Sequence, residues 1–191
     1  QGVSLQNVEI QLEGHKLSTT GPLLITHWGL SGPAVLKMSA WGARLFNAMQ
    51  YRFGILVNWT GLSEREVEDI LKKQVFNHPK KQINNTNLFD LPLRLWKRLM
   101  EYIKLEETTN WSDMDDRDLQ SIVKILCKCD LKVNGKSTFK EEFVTAGGIA
   151  LEEVDFRTMA SKKVKNLYFA GEILDIDAVT GGFNFQAAWT T

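Results

Sequence analysis

The sequence is short of several residue types, and each shortage argues something away. It has two cysteines, Cys127 and Cys129, and three histidines in 191 residues. The cysteines stand two apart in a segment patterned as a helix, where side chains turn by about 100° per residue and these two diverge by roughly 200°. They are not placed to pair with each other, which argues against a disulfide-stapled secreted domain. No His or Cys cluster stands near them, so no metal is expected. No apolar run approaches the roughly 20 residues of a membrane-spanning helix, and nothing resembles a signal peptide. The expected location is cytoplasmic, with no membrane partner, and the Asn-x-Ser/Thr triplets such as Asn58-Trp59-Thr60 are read as chance.

Net charge is also missing. Lys plus Arg and Asp plus Glu number 23 each, so no long-range field favours nucleic acid or an acidic surface. Lys72, Lys73, Lys80 and Lys81 do surround Phe76 and His78. Such a patch suits a nucleic-acid surface or a solvated helix end, and the neutral balance favours the second, so no nucleic-acid partner is expected. A G-x-G-x-x-G turn is absent as well. With 43% hydrophobic and 24% charged residues, the chain can nevertheless bury a real core.

Val3, Leu5, Val8, Ile10 and Leu12 alternate with an offset after Leu5, which predicts a bulged strand or two short strands. A second strand is expected over Leu23 to Thr26. Gly32-Pro33 opens a helix expected to run to Phe46, because Pro supplies the helical φ where its missing N–H is not needed. Tyr51 to Trp59 reads as a buried strand. Three helices follow. The first opens on a capping box at Ser63 and Glu66, and the others carry the stripes Leu91, Leu95, Leu99, Ile103 and Leu119, Ile122, Val123, Leu126. Past Cys129, a strand at Leu131 to Val133, a turn at Asn134-Gly135 and a strand toward Val144 suggest a hairpin. A last buried strand is expected over Asn166 to Ala170, followed by a helix from about Phe183.

The chemistry concentrates at the end of the chain. An apolar strand runs into Gly171-Glu172, and the pair Gly181-Gly182 opens a helix. Either feature alone is ordinary loop punctuation. Together they fit a site that needs close backbone approach, an accepting carboxylate and oriented amides, as a flavin does. Ala170, Gly171, Glu172, Leu174, Asp175 and Asp177, then Thr180, Gly181, Gly182, Phe183, Asn184 and Gln186, resemble the C-terminal FAD segment of the BaiN/aminoacetone-oxidase-like flavoproteins. Thr26-His27-Trp28-Gly29-Leu30-Ser31-Gly32-Pro33-Ala34 and Val144-Thr145-Ala146-Gly147-Gly148-Ile149 resemble two further segments of that family, in the same order.

The resemblance implies FAD held by Gly171, Glu172, Asp177, Thr180, Gly181, Gly182, Phe183 and Asn184, with Thr145, Gly147 and Gly148 near the flavin or substrate. Glu172 would accept from ribityl hydroxyls, and amides near Gly181 and Gly182 would face N1 and the C2 carbonyl, where a helix N-terminus favours the charge gained on reduction. Thr145 to Gly148 is equally compatible with a plain tight turn. His27 is a candidate acid/base beside the substrate, against the plainer reading that it fixes its turn. A Ser31–His27 nucleophile pair has neither an elbow motif nor an orienting acid.

The family's proteins begin with the pyrophosphate-binding fingerprint that is absent here, so the ADP half of the site is expected in a missing N-terminal FAD-binding half. The fold expected is α+β: a β-barrel-like segment (1–61, returning at 130–150) with an inserted small helical bundle (62–129), then a C-terminal strand and helix (151–191) of a Rossmann-like FAD domain. The function implied is that of a fragment, inactive alone, of an oxidoreductase exchanging hydride between FAD and a small organic substrate, with NAD(P)H as one electron donor. The alternative is a non-catalytic binding module.

Overall fold

The computed structural model describes residues 2–86, 88–136, 144–179 and 181–191. By internal contacts the chain divides into two compact units, residues 1–35 with 52–134 and residues 36–51 with 135–191. Mixed helix and sheet are both present, as expected.

The first unit holds a five-stranded antiparallel sheet of β1 (Val3–Leu12), β2 (Ser18–Ile25), β3 (Leu30–Ser31), β4 (Arg52–Asn58) and β5 (Cys129–Asn134), in the order β3-β2-β1-β4-β5. The offset in β1 is a bulge. Leu5 faces Leu23 and Val8 faces Gly21, so β1 spends one residue more than β2 between these pairs. That extra residue turns Leu5 and Val8 to the same buried side as Ile10 and Leu12. The second strand starts at Ser18, well before Leu23, because its early polar residues pair with the far half of β1. β4 is buried only at alternate positions, Ile55 and Val57, with Leu56 partly exposed, so it is a half-buried strand where a fully buried one was expected. Helix α1 (Pro33–Ala48) starts beside the sheet, where the buried Thr19 hydroxyl donates to the Ala34 carbonyl at 2.9 Å.

Helices α2 (Glu64–Asn77), α3 (Leu93–Tyr102) and α4 (Asp116–Cys127) make the helical part of this unit. Ser63 caps α2 as its spacing predicts: its hydroxyl accepts from the Glu66 amide, and the Glu66 carboxylate accepts from the Ser63 amide at 2.8 Å. The Ser63 hydroxyl, and then its amide, hold the Glu66 carboxyl below its ordinary value. α4 packs on α2, α3, β4 and β5, burying Leu119, Ile122, Val123 and Leu126. Two fully buried tryptophans lock the bundle. The Trp96 indole N–H donates to the Ile83 carbonyl and that of Trp111 to the Thr86 hydroxyl, each at 2.9 Å, with the rings 6.5 Å apart.

The cysteines correct one expectation. α4 ends at Cys127 and β5 begins at Cys129, so a helix terminus falls between them, and both are free and buried. The strand expected to pair across Asn134-Gly135 lies at residues 137–143, outside the described residues.

The second unit has little regular structure. It contains α1 from Leu36, a ribbon of β6 (Val154–Asp155) and β7 (Ala160–Ser161), and α5 (Phe183–Thr190). Asn166 to Ala170 is not the buried strand expected. Asn166 is left-handed, with φ 64°, and the bonds that follow it are those of a ribbon edge: Ser161 N–H to Leu167 O at 2.8 Å and Phe169 N–H to Met159 O at 2.9 Å. With one neighbour only, Leu167 and Tyr168 stay exposed.

Candidate functional site

Two of the glycine-rich segments meet in the second unit. The Ile149 amide donates to the Ile173 carbonyl at 2.8 Å and the Asp175 amide to the Ile149 carbonyl at 3.0 Å, a parallel bridge from Ile149 to Leu174. Gly148 sits where this crossing is tightest. A Cβ there would stand 2.6 Å from the Ile173 carbonyl oxygen and 2.8 Å from the Asp175 nitrogen, so the backbone contact requires glycine. The stretch Thr145-Ala146-Gly147-Gly148 is thus fastened to the turn that follows Gly171-Glu172. Leu174, 1% exposed, anchors the junction.

Three side chains fix the loop between that turn and α5. Asn184 brackets Ala178, its Oδ1 accepting from the Ala178 amide at 2.8 Å and its Nδ2 donating to the Ala178 carbonyl at 3.0 Å. The side-chain amide of Asn184 is therefore engaged within the loop. The Thr191 hydroxyl accepts from the Gly171 amide at 3.0 Å, which ties the end of α5 to the Gly171-Glu172 turn. Arg44, on α1, reaches Asp175 at 2.5 Å and Asp177 at 3.5 Å. Asp177, read from sequence as a cofactor contact, is held by this guanidinium. Arg44 was not a sequence candidate, because nothing local in Ser39-Ala40-Trp41-Gly42-Ala43-Arg44 points to partners more than 130 positions away.

What the loop leaves open is as informative as what it closes. Gly182, whose φ of 94° places it in the left-handed region, precedes α5 and has no side chain to cap it, and among the described residues no side chain bonds the helix's first amides. A Cβ at Gly147 or Gly182 would meet nothing within 4 Å, so a ligand has access to both backbones. Glu172 is exposed, and so is the Phe183 ring at 64%. Thr180 lies outside the described residues. The arrangement offers recognition: uncapped helix amides, an accessible carboxylate and glycine backbone on a loop pinned at Ala178, Asp175 and Gly171. These features fit a flavin's pyrimidine edge and ribityl chain.

His27 belongs to the first unit. Its ring is exposed and tilted against Trp28, with centroids 4.3 Å apart. The turn it was read as fixing is held by Thr26, whose hydroxyl accepts from the Trp28 and Gly29 amides at 3.2 Å each. The same unit carries a cleft of about 250 Å³ lined in part by Asn58, Ser63, Glu64, Cys127 and Lys128. Burial, reinforced by the Glu64 charge, pushes the Cys127 thiol up to about 11, which makes it a poor nucleophile. Burial also raises the Cys129 thiol. The Trp59 indole N–H beside it opposes that rise without making a hydrogen bond of normal geometry. Among the described residues no group of three or more His, Cys, Asp or Glu is placed to hold a metal ion, and no helix is long and apolar enough to cross a membrane.

Residues 1–144 match the family described as HI0933-like protein barrel and H2TH domain. The chain is 34% identical over 169 residues to a protein of Escherichia coli named ribosomal RNA dihydrouridine synthase, covering 88% of this chain and 40% of that protein. It is 30% identical over 171 residues to a Haemophilus influenzae protein of the same name, again 88% and 40%. A 3-dehydro-bile acid delta(4,6)-reductase of Clostridium scindens is 29% identical over 180 residues, 90% of this chain and 42% of that protein. The chain thus spans about two fifths of the length of these curated relatives.

Proposed function

The chain belongs to the HI0933-like flavoprotein family, and from that premise we propose that it is the barrel-and-helix part, with the closing loop of the flavin site, of an FAD-dependent reductase acting on uridine in ribosomal RNA. The observation that carries the flavin reading is the convergence of Gly147-Gly148, Gly171-Glu172 and the uncapped start of α5 on one pinned loop. When bound, the flavin supplies a hydride, with NAD(P)H as its source. The protein's part is to hold and orient. The amides of Phe183 and Asn184 receive the pyrimidine edge, Glu172 accepts from the ribityl hydroxyls, and Arg44 keeps Asp175 and Asp177 drawn in so that the loop holds its shape. Asn184 contributes its backbone amide, since its side chain is spent on Ala178.

The ADP half of the site is assigned to a part of the protein beyond this chain. No G-x-G-x-x-G stands in these 191 residues, and the relatives are much longer. Leu167, Tyr168, Ile173, Phe185 and Trp189 support this assignment. All are exposed on the segments that flank the loop, as they would be on elements built to pack into a larger flavin domain.

The substrate is proposed from the two relatives named for ribosomal RNA, which the chain matches at 34% and 30%. The reductase of Clostridium scindens supports the chemistry rather than the substrate, because both names describe adding hydrogen to an organic acceptor. This departs from the expectations of a small-molecule substrate and of no nucleic-acid partner, and the small molecule becomes the second outcome of the test.

The test uses the complete gene product beside the 191-residue chain. Flavin retained by the complete protein and released on Glu172→Ala, with formation of dihydrouridine in protein-free ribosomal RNA on addition of NAD(P)H, is the expected result. Retained flavin without reaction on RNA would move the substrate to a small molecule. No flavin in either protein would leave the non-catalytic module.

A further inference from the structure

The balanced total hides a segregation of charge in the helical part. Residues 72–104 carry eight Lys or Arg against Asp90 and Glu101. Residues 105–118 carry six Asp or Glu against Arg117 alone. All eight cations are exposed. Lys72 and Arg98 are paired along their own helices with Glu68 and Glu101. Lys73, Lys80, Lys81, Arg94, Lys97 and Lys104 have no carboxylate within ion-pair distance among the described residues.

Two aromatic side chains stand among these cations without a role in the core. Phe76, on the last turn of α2, is 86% exposed between Lys73 and Lys80, and Tyr102, at the end of α3, is 70% exposed. The turn bearing Lys80 and Lys81 is fastened to α3, because the Trp96 indole donates to the Ile83 carbonyl, and to the segment at Trp111, whose amide donates to the Lys81 carbonyl at 3.1 Å. On α3 itself, Leu95, Trp96, Leu99 and Met100 face inward, which leaves Arg94, Lys97 and Arg98 along the solvent face.

We propose that this cationic, aromatic surface at the end of α2, the following turn and the outer face of α3 is where the protein holds its RNA, a substrate class that rests on the reading above. Repeated phosphates match a spread of unpaired cations, and an unstacked base matches an exposed ring whose burial nothing in the subdomain supplies. An acidic protein partner would match the cations but would leave Phe76 and Tyr102 unexplained. Because the chain is neutral overall, long-range steering is weak, and the affinity comes from this surface at contact range. The acidic run 105–118 repels phosphate and so marks where the RNA stops.

The probe is a fluorescein-labelled hairpin of ribosomal RNA, titrated with the complete protein by anisotropy across a range of KCl concentrations. Lys80→Glu with Lys81→Glu should weaken binding about tenfold or more and flatten the salt dependence by about one unit of slope per phosphate contact removed. Phe76→Ser should weaken binding between about fivefold and a hundredfold with the slope unchanged, the signature of lost stacking. Asp115 and Asp118 cap α4, so the control charge change is placed at Glu106→Gln, which should not weaken binding. Unchanged flavin content and circular dichroism establish that each variant is folded. If the double variant and Phe76→Ser bind as the parent does while the parent still forms dihydrouridine, this inference is overturned and the functional reading stands. If the parent retains flavin but neither binds nor reduces RNA, the RNA reading fails and takes this surface with it.

Discussion

The two units of the chain are finished to different degrees. Residues 1–35 and 52–134 bury nearly all of the apolar side chains that are fully inside, and their buried indoles and caps are mostly satisfied. Among the described residues of the other unit four apolar side chains are buried, Met38, Phe46, Val154 and Leu174, while ten large ones are exposed. The second unit is nonetheless where the loop is pinned most deliberately, by Arg44, Asn184 and Thr191. Exposed apolar surface together with precise polar restraints is what the proposed closing loop of a larger flavin site requires. The contrast separates what folds the chain from what the chain is for.

Breaking the first unit should cost the most. Trp96→Ala removes a fully buried indole and strands the Ile83 carbonyl, and should destabilise the chain by about 3–5 kcal/mol in urea unfolding. Loss of less than about 1 kcal/mol would mean that this core is looser than the packing shows. Gly148→Ala drives a methyl into the Ile173 carbonyl and should cost about 2–3 kcal/mol locally. Its readout is flavin release from the complete protein while the midpoint of the first unit's unfolding holds.

The alkaline limb probes the buried thiols. Burial raises the Cys127 thiol to about 11 from its ordinary 9.0, so the neutral thiol is favoured by the fold. Its contribution, about 3 kcal/mol, is complete below pH 9 and is lost as pH rises through 11. Cys129 shifts in the same direction, so Cys127→Ala with Cys129→Ala should flatten the stability profile over that window. The smallest stability effect belongs to Arg44→Ala, below about 1 kcal/mol for so exposed a guanidinium. Its flavin affinity should still fall on the order of tenfold, as when an outer support of a binding group is removed. Equal flavin affinity in Arg44→Ala and the parent would reduce the ion pairs to surface decoration.

Legibility in the sequence follows the range of the interactions. The capping box at Ser63 and the start of α5 after Gly182 depend on bonds within a few residues, and the bulge between Leu5 and Val8 shows as a break in the apolar alternation of one strand, so each was readable. The early start of β2 was not, since Ser18 to Gly21 become a strand only through their pairing with β1. Cys129 looked helical because the break at Lys128 is a terminus with no Gly or Pro to announce it. Asn166 to Ala170 has the composition of a buried strand but finds one neighbour here, which makes it an edge. At the site, the glycine motifs announced themselves by composition. That Gly148 crosses Ile173 and that Arg44 grips Asp175 are long-range facts that spacing cannot carry.

The most direct measurement is hydrogen exchange on the complete protein with FAD bound and removed, followed peptide by peptide. The account predicts that residues 144–149 and 171–186 gain protection with FAD while the helical segment 64–127 is unmoved. Equal exchange in both states across those two segments would contradict the placement of the flavin site on this loop.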